Sequence, residues 1–210
     1  MNIKLAIPKN LPLKFKREKL ERFVQENGLE IYYVDEKESM EYFLSGKVDA
    51  ALVNPLEYGR QVGRSDSVII PYSAIYLDGY TEVASIIFQK ELETFKSMAT
   101  KDSDSFLFFA SKILLAERYD MVLDVVLSQD SEEEMLEKAD CAFIFGVSQS
   151  NFNSFDIGEE WYDTFEMPLP VAFWICRSEE HPEGIEKVIL SFSDIAESNS
   201  IGINERKKGK

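Results

Sequence analysis

Four stretches of this 210-residue chain place polar groups or a turn directly beside an apolar run: Pro8-Lys9-Asn10, Asn54-Pro55, Asp102 to Ser105, and Gly146-Val147-Ser148. If the apolar runs are strands of an open parallel sheet, these are the positions beyond the strands' carboxyl ends, where such sheets bind ligands. Lys9 offers an ammonium, Asn10 and Asn54 amides, Ser103 and Ser105 hydroxyls, while Pro55 and Gly146 shape turns. Two helix N-termini in the same stretches add free N–H groups and a dipole that favours negative charge. The chemistry this set suits is the binding of a small mono- or dicarboxylate.

Other chemistries lack their residues. The single histidine, His181, lies in Glu-Glu-His-Pro-Glu, an exposed turn by composition. A Ser-His-Asp triad, a clustered His/Cys metal site, a P-loop and a G-x-G-x-x-G turn therefore have no counterpart here. The acidic pairs Glu159-Glu160 and Glu179-Glu180 read as solvated faces. An enzyme built from these residues would work by positioning and electrostatics, not by a metal or a histidine base.

The elements that must position the candidates alternate between strand and helix. Lys4 to Ile7 reads as a strand; a helix capped near Asn10, with Pro12 in its first turn, runs to about Glu26. Leu29 to Val34 is a strand, Lys37 to Leu44 a helix, and Val48 to Val53 a buried strand. The same grammar returns later. A helix spans Asp102 to Arg118 with Phe109, Ile113 and Leu114 inward, and Met121 to Leu127 is a strand. Ser131 to Lys138 is a helix opened at capping-box spacing by Ser131 and Glu134, and Asp140 to Phe145 is a strand. The stretches VDAALVNP and ADCAFIFG share one form, which suggests two similar lobes with mostly parallel sheets. Val83 to Phe88 reads as a strand leaving the first lobe and Pro170 to Cys176 as one returning, with Glu183 to Ser198 a helix on that lobe. The expected division is residues 1–88 with 171–210, and 89–170, hinged about a cleft.

A net charge of −15 argues against a nucleic-acid partner, which needs a concentrated basic face. The basic stretch Lys4 to Lys19 is either a solvated face or a local positive field at an anion site. No signal peptide or membrane-spanning run is seen, and Cys141 and Cys176 read as buried thiols rather than a disulfide or metal pair. A cytoplasmic protein with no membrane partner is expected; the oligomeric state stays open.

Residues 44–58, LSGKVDAALVNPLEY, and residues 156–174, DIGEEWYDTFEMPLPVAFW, resemble stretches of the chorismate dehydratase family of the futalosine route to menaquinone. Asp78-Gly79, Ser85-Ile86, KILLAERY (Lys112 to Tyr119) and Leu11-Pro12-Leu13 extend the resemblance from about residue 5 to residue 180. It implies an α/β, two-lobed type II periplasmic-binding-protein-like fold and a cofactor-free lyase that dehydrates chorismate to 3-[(1-carboxyvinyl)oxy]benzoate. It also implies that Asn10 and Ser85 are catalytic, with Lys9, Asn54, Pro55, Ser103, Ser105 and Gly146 binding substrate. The chain departs from the pattern in three places. The family's functional Asn falls on Lys9 in ungapped register, its Thr-Ser pair on Asp102 to Ser105 or Phe106-Leu107, and its Gly-Asp on Gly146-Val147. The C-terminus also reads as shorter than usual for the family. The alternative is a non-catalytic cytoplasmic binding protein for a small carboxylate.

Overall fold

The structure, a computed structural model, describes residues 3–9, 11, 14–15, 17–89, 94–179, 183–197 and 201–203. In chain order the elements are β1 (Ile3–Pro8), β2 (Lys14–Phe15), α1 (Arg17–Glu26), β3 (Leu29–Val34), α2 (Glu36–Leu44), β4 (Ala50–Val53), α3 (Pro55–Gln61) and β5 (Ser67–Leu77). They continue as β6 (Ala84–Phe88), β7 (Ser97–Thr100), α4 (Phe106–Tyr119), β8 (Asp124–Leu127), α5 (Glu132–Lys138) and β9 (Cys141–Phe145). The last are β10 (Asn153–Asp156), α6 (Ile157–Phe165), β11 (Leu169–Arg177), α7 (Ile185–Ile195), β12 (Ala196–Glu197) and β13 (Ile201–Ile203). The chain divides into two compact units, Met1–Tyr76 with Pro170–Lys210, and Leu77–Leu169.

The first unit holds a six-stranded sheet in the order β13-β5-β11-β4-β1-β3. β1 runs parallel to β3 and β4, and β11 runs antiparallel to β4. All four residues of β4 are buried because both faces of the sheet are covered, which is why its sequence is a continuous apolar run. Leu5, Ile7, Leu52 and Trp174 pack on one face with Phe23 of α1 and Ile185, Ile189 and Phe192 of α7. Ala6, Ala51, Val53 and Ile175 pack on the other with Met40 and Phe43 of α2. This is the period of two expected of strands.

The second unit holds a five-stranded sheet in the order β10-β6-β9-β7-β8. β7 is parallel to β8 and β9, while β6 is antiparallel to β9 and β10. Phe143 stands between Phe108 of α4 and Phe145, with ring centroids 5.6 Å and 5.3 Å away. The opposite face buries Ile87, Ala99, Ala142 and Ile144 with Met135 of α5.

Several expectations change. The strand at Val83 to Phe88 does not belong with the first lobe. β6 is fully buried and bonded along both edges, to β9 and β10, so its backbone groups are satisfied inside the second sheet. The division therefore falls at Tyr76–Leu77 instead of residue 88. The first helix begins at Arg17, after a short strand pairing of Lys14–Phe15 with Ala196–Glu197; Asn10 and Pro12 lie outside the described residues. Ile113 is 49% exposed, because the buried stripe of α4 runs through Leu107, Ala110, Ser111 and Leu114. β5, α3, β7, β10 and α6 are additional elements.

Candidate functional site

At the carboxyl edge of the second sheet, β9 ends at Phe145 and turns through Gly146, whose φ of +84° is ordinary only for glycine. The Gly146 N–H donates to the Val83 carbonyl at 2.8 Å, and the Ser85 hydroxyl donates to the Gly146 carbonyl, also at 2.8 Å. Two candidates 61 residues apart in the sequence, Ser85 and Gly146, thus meet in space. Ser85 is 3% exposed and sits opposite Ile144 on one side and Asp156 on the other.

Next along the edge, β7 ends at Thr100, whose hydroxyl bonds the backbone of Asp102. Asp102 in turn accepts from the Asp104 N–H at 2.9 Å, an Asx turn that delivers the chain to α4. Ser105 is the N-cap of that helix and accepts from Phe108 N–H at 3.3 Å. Ser105 is buried and Ser103 half-buried. After β9, Ser148 and Ser150 donate to Glu132 and Glu133, at 2.5 Å and 2.7 Å, and so tie the loop to the first turn of α5.

In the first unit, Lys9 follows β1. Its backbone N–H reaches the Val34 carbonyl, and its ammonium lies 3.4 Å from Asp35 Oδ1. Those side chains are 55% and 71% exposed, so the pair is worth about 0–1 kcal/mol and the ammonium exchanges partners at little cost. Asn54 caps α3, with Pro55 in the first turn: Oδ1 accepts from Glu57 N–H at 2.8 Å and Nδ2 donates to Glu36 at 2.6 Å. Asn54 and Ser105 are therefore helix caps. Asn10 and His181 lie outside the described residues.

The reading of Glu159-Glu160 as a solvated pair is corrected at Glu160. That carboxylate lies 3.0 Å from Arg118 and accepts from Tyr119 at 3.0 Å, joining α6 to α4. Burial, and then Glu160, raises the Tyr119 phenol above its usual value. Both cysteines are buried and free. Burial pushes the Cys141 thiol up to about 12, with Asp140 adding to the effect. Among the described residues no group of three His, Cys, Asp or Glu side chains is placed to hold a metal ion, and no helix is long and apolar enough to cross a membrane.

Asp156 was not singled out by its sequence. It is 3% exposed and caps α6, its Oδ1 accepting from Gly158 N–H at 2.8 Å and Glu159 N–H at 3.1 Å. The same carboxylate accepts from the Thr81 hydroxyl at 3.2 Å and from Glu82 N–H at 2.8 Å. The available signal was an Asp three residues before a Glu at the start of an apolar-periodic segment, which is a helix opening.

Two such α/β units make a type II periplasmic-binding-protein-like fold. The fold is shared with protein AF1704 from Archaeoglobus fulgidus at a TM-score of 0.59 and 12% identity, over 90% of this chain and 73% of that one. It is shared also with the effector-binding domain of QuiR, solved in complex with shikimate, at a TM-score of 0.54 and 11% identity over 92% and 95% of the two chains. A periplasmic substrate-binding protein of an ABC transporter from Coxiella burnetii gives a TM-score of 0.52 and 13% identity over 93% and 99%. Residues 3–207 match the family model described as menaquinone biosynthesis, and the chain belongs to that family. Comparison with curated proteins gives no match.

Proposed function

We propose that the chain is a cytoplasmic, cofactor-free lyase that dehydrates chorismate to 3-[(1-carboxyvinyl)oxy]benzoate. Membership of the menaquinone biosynthesis family over residues 3–207 is the observation that carries this reading. In the reaction one ring C–H bond and one ring C–O bond break, and the proton and hydroxide depart together as water. The electron pair left by the proton becomes part of the new aromatic ring. Catalysis requires groups that favour the anionic intermediate over bound chorismate.

In this reading Ser85 contacts the substrate. Its hydroxyl rotates about the Cβ–Oγ bond, so the proton now given to the Gly146 carbonyl re-aims when a carboxylate arrives. Within the same unit the N-terminus of α4 beyond Ser105 supplies backbone donors. Incubation of the purified protein with chorismate, followed by liquid chromatography with mass detection, tests the reading. The expected result is a product lighter by one water, formed faster than without protein, with turnover about 10²–10³-fold lower in Ser85→Ala. No product from the folded wild-type protein would overturn it.

Two observations favour a second reading, a binding protein for a small carboxylate. The Asn54 amide and the Ser105 hydroxyl are both engaged in capping their own helices. The QuiR domain of the same fold was solved with shikimate, a ring carboxylate. That reading expects saturable thermal stabilisation by chorismate or shikimate without any product.

A further inference from the structure

The segment Asp78 to Val83, between β5 and β6, contains a non-glycine residue in the left-handed region, Glu82 with φ of +58°. A conformation of this kind is strained and persists where surrounding contacts over-determine it. The contact here is Asp156. Its Oδ2 accepts the Glu82 N–H at 2.8 Å, and the Thr81 hydroxyl lies within 3.2 Å of Oδ1 and 3.4 Å of Oδ2. Thr81 and Asp156 are 4% and 3% exposed, so these bonds are shielded from water.

The residues that follow carry the placement onward. The Val83 carbonyl accepts the Gly146 N–H, and Ser85 donates to the Gly146 carbonyl, so the peptides on both sides of Gly146 are held by Val83 and Ser85. Asp156 is the direct cross-strand partner of Ser85 on the opposite edge of β6. Gly158, two residues on, closes the arrangement: a Cβ there would stand 2.6 Å from the Gly79 carbonyl oxygen. The turn before β6 is therefore held by a carboxylate at one point and by backbone contact at another.

We infer that Asp156 is a positioning residue for Ser85, fixing through Thr81 and Glu82 the height at which β6 presents the Ser85 hydroxyl to Gly146. The inference rests on the dehydratase reading for its kinetic consequence, though not for its structural one. Asp156→Asn separates the two duties of the carboxylate. An Asn oxygen still accepts from Gly158 and Glu159, because Asn caps helices as well as Asp. Its amide nitrogen cannot accept from the Glu82 N–H, which loses its partner, while the retained oxygen still lies within reach of the Thr81 hydroxyl.

The test has two readouts on the full chain, amide hydrogen exchange and chorismate turnover. In Asp156→Asn, exchange at Gly146 is expected to rise about tenfold or more while amides of α4 stay protected, as local opening at one turn predicts. Turnover is expected to fall about 100-fold, the scale of an ångström-sized misplacement, with KM nearly unchanged. In a Ser85→Ala background the same substitution should cost less than about twofold, since two residues acting as one unit are not additive. Thr81→Val provides a milder version in the same direction if Asp156→Asn does not fold. Unchanged exchange at Gly146 would overturn the inference, as would a full multiplicative loss in the Ser85→Ala background. A wild-type protein inactive on chorismate would sink the dehydratase reading instead, and the exchange result alone would then decide the role of Asp156.

Discussion

The two units repeat one frame. β1-α1-β3-α2-β4 in the first corresponds to β7-α4-β8-α5-β9 in the second, and each set carries an antiparallel neighbour on its third strand, β11 or β6. The registers Leu5↔Ala50, Ala6↔Ala51 and Met98↔Cys141, Ala99↔Ala142 make Ala50 equivalent to Cys141 and Leu52 to Phe143. The amino ends of the strands also match in chemistry. Asp49 accepts from Lys4 N–H at 2.7 Å, and its equivalent Asp140 accepts from Lys96 N–H at 2.8 Å and Ser97 N–H at 3.0 Å. The carboxyl ends do not. Lys9 stands where the second unit has Asp102, and buried Asn54 where it has Phe145, which is 50% exposed. The amino ends stay alike, and the carboxyl ends, where open parallel sheets generally bind ligands, diverge.

The strongest way to break that equivalence is at the matched core positions. Leu52→Ala and Phe143→Ala each remove a side chain at 0% and 2% exposure. Losses of about 2–5 and 3–5 kcal/mol are expected in urea unfolding, since each substitution removes buried apolar volume from a packed core. A near-neutral result at one would show that the two strands are not equivalent in their sheets. A smaller effect separates the paired aspartates. Asp49→Ala should cost about 1–2 kcal/mol and Asp140→Ala more, because Asp140 also accepts from the Ser97 hydroxyl at 3.0 Å. Equal costs would mean that the additional bonds of Asp140 carry no weight.

The smallest effect at neutral pH concerns Cys141, which occupies the place of Ala50. Its folded pKa, about 12, lies above the 9.0 of an unperturbed thiol, so the folded state binds the proton more tightly. The associated stability is fully present below pH 9 and lost as pH rises toward about 12, with a limiting slope of about 1.4 kcal/mol per pH unit. Cys141→Ala should flatten the decline measured by denaturant titration between pH 9 and 11. A decline unchanged by the substitution would assign it to other groups.

The strands at Lys4 to Ile7, Val48 to Val53 and Asp140 to Phe145 were legible because strands covered on both faces carry apolar runs, here Leu5 to Ile7, Ala50 to Val53 and Cys141 to Phe145. The shared VDAALVNP and ADCAFIFG pattern reported the internal repeat for the same reason. β5 was not legible, as Pro71 and Ser73 interrupt its periodicity and the compensation lies far away: Ser73 accepts from Trp174 N–H, 101 residues on. β6 was legible as a strand but not as a member of its sheet, because an apolar run states burial and not which neighbour provides it. Among the candidate site residues, side-chain type alone could not separate ligand contact from capping, and Asn54 and Ser105 turned out to cap. Ser85 and Gly146 meet because a turn and a strand start converge, which no local pattern encodes.

The contact between Gly158 and the Gly79 carbonyl has a mechanical side. Side chains take up small displacements by changing torsion angles, and so act as play between the parts they join. Where peptide meets peptide, as it does at the first turn of α6, there is no such play. A displacement of that helix toward Gly79 therefore meets backbone directly, with no side chain between them to absorb it.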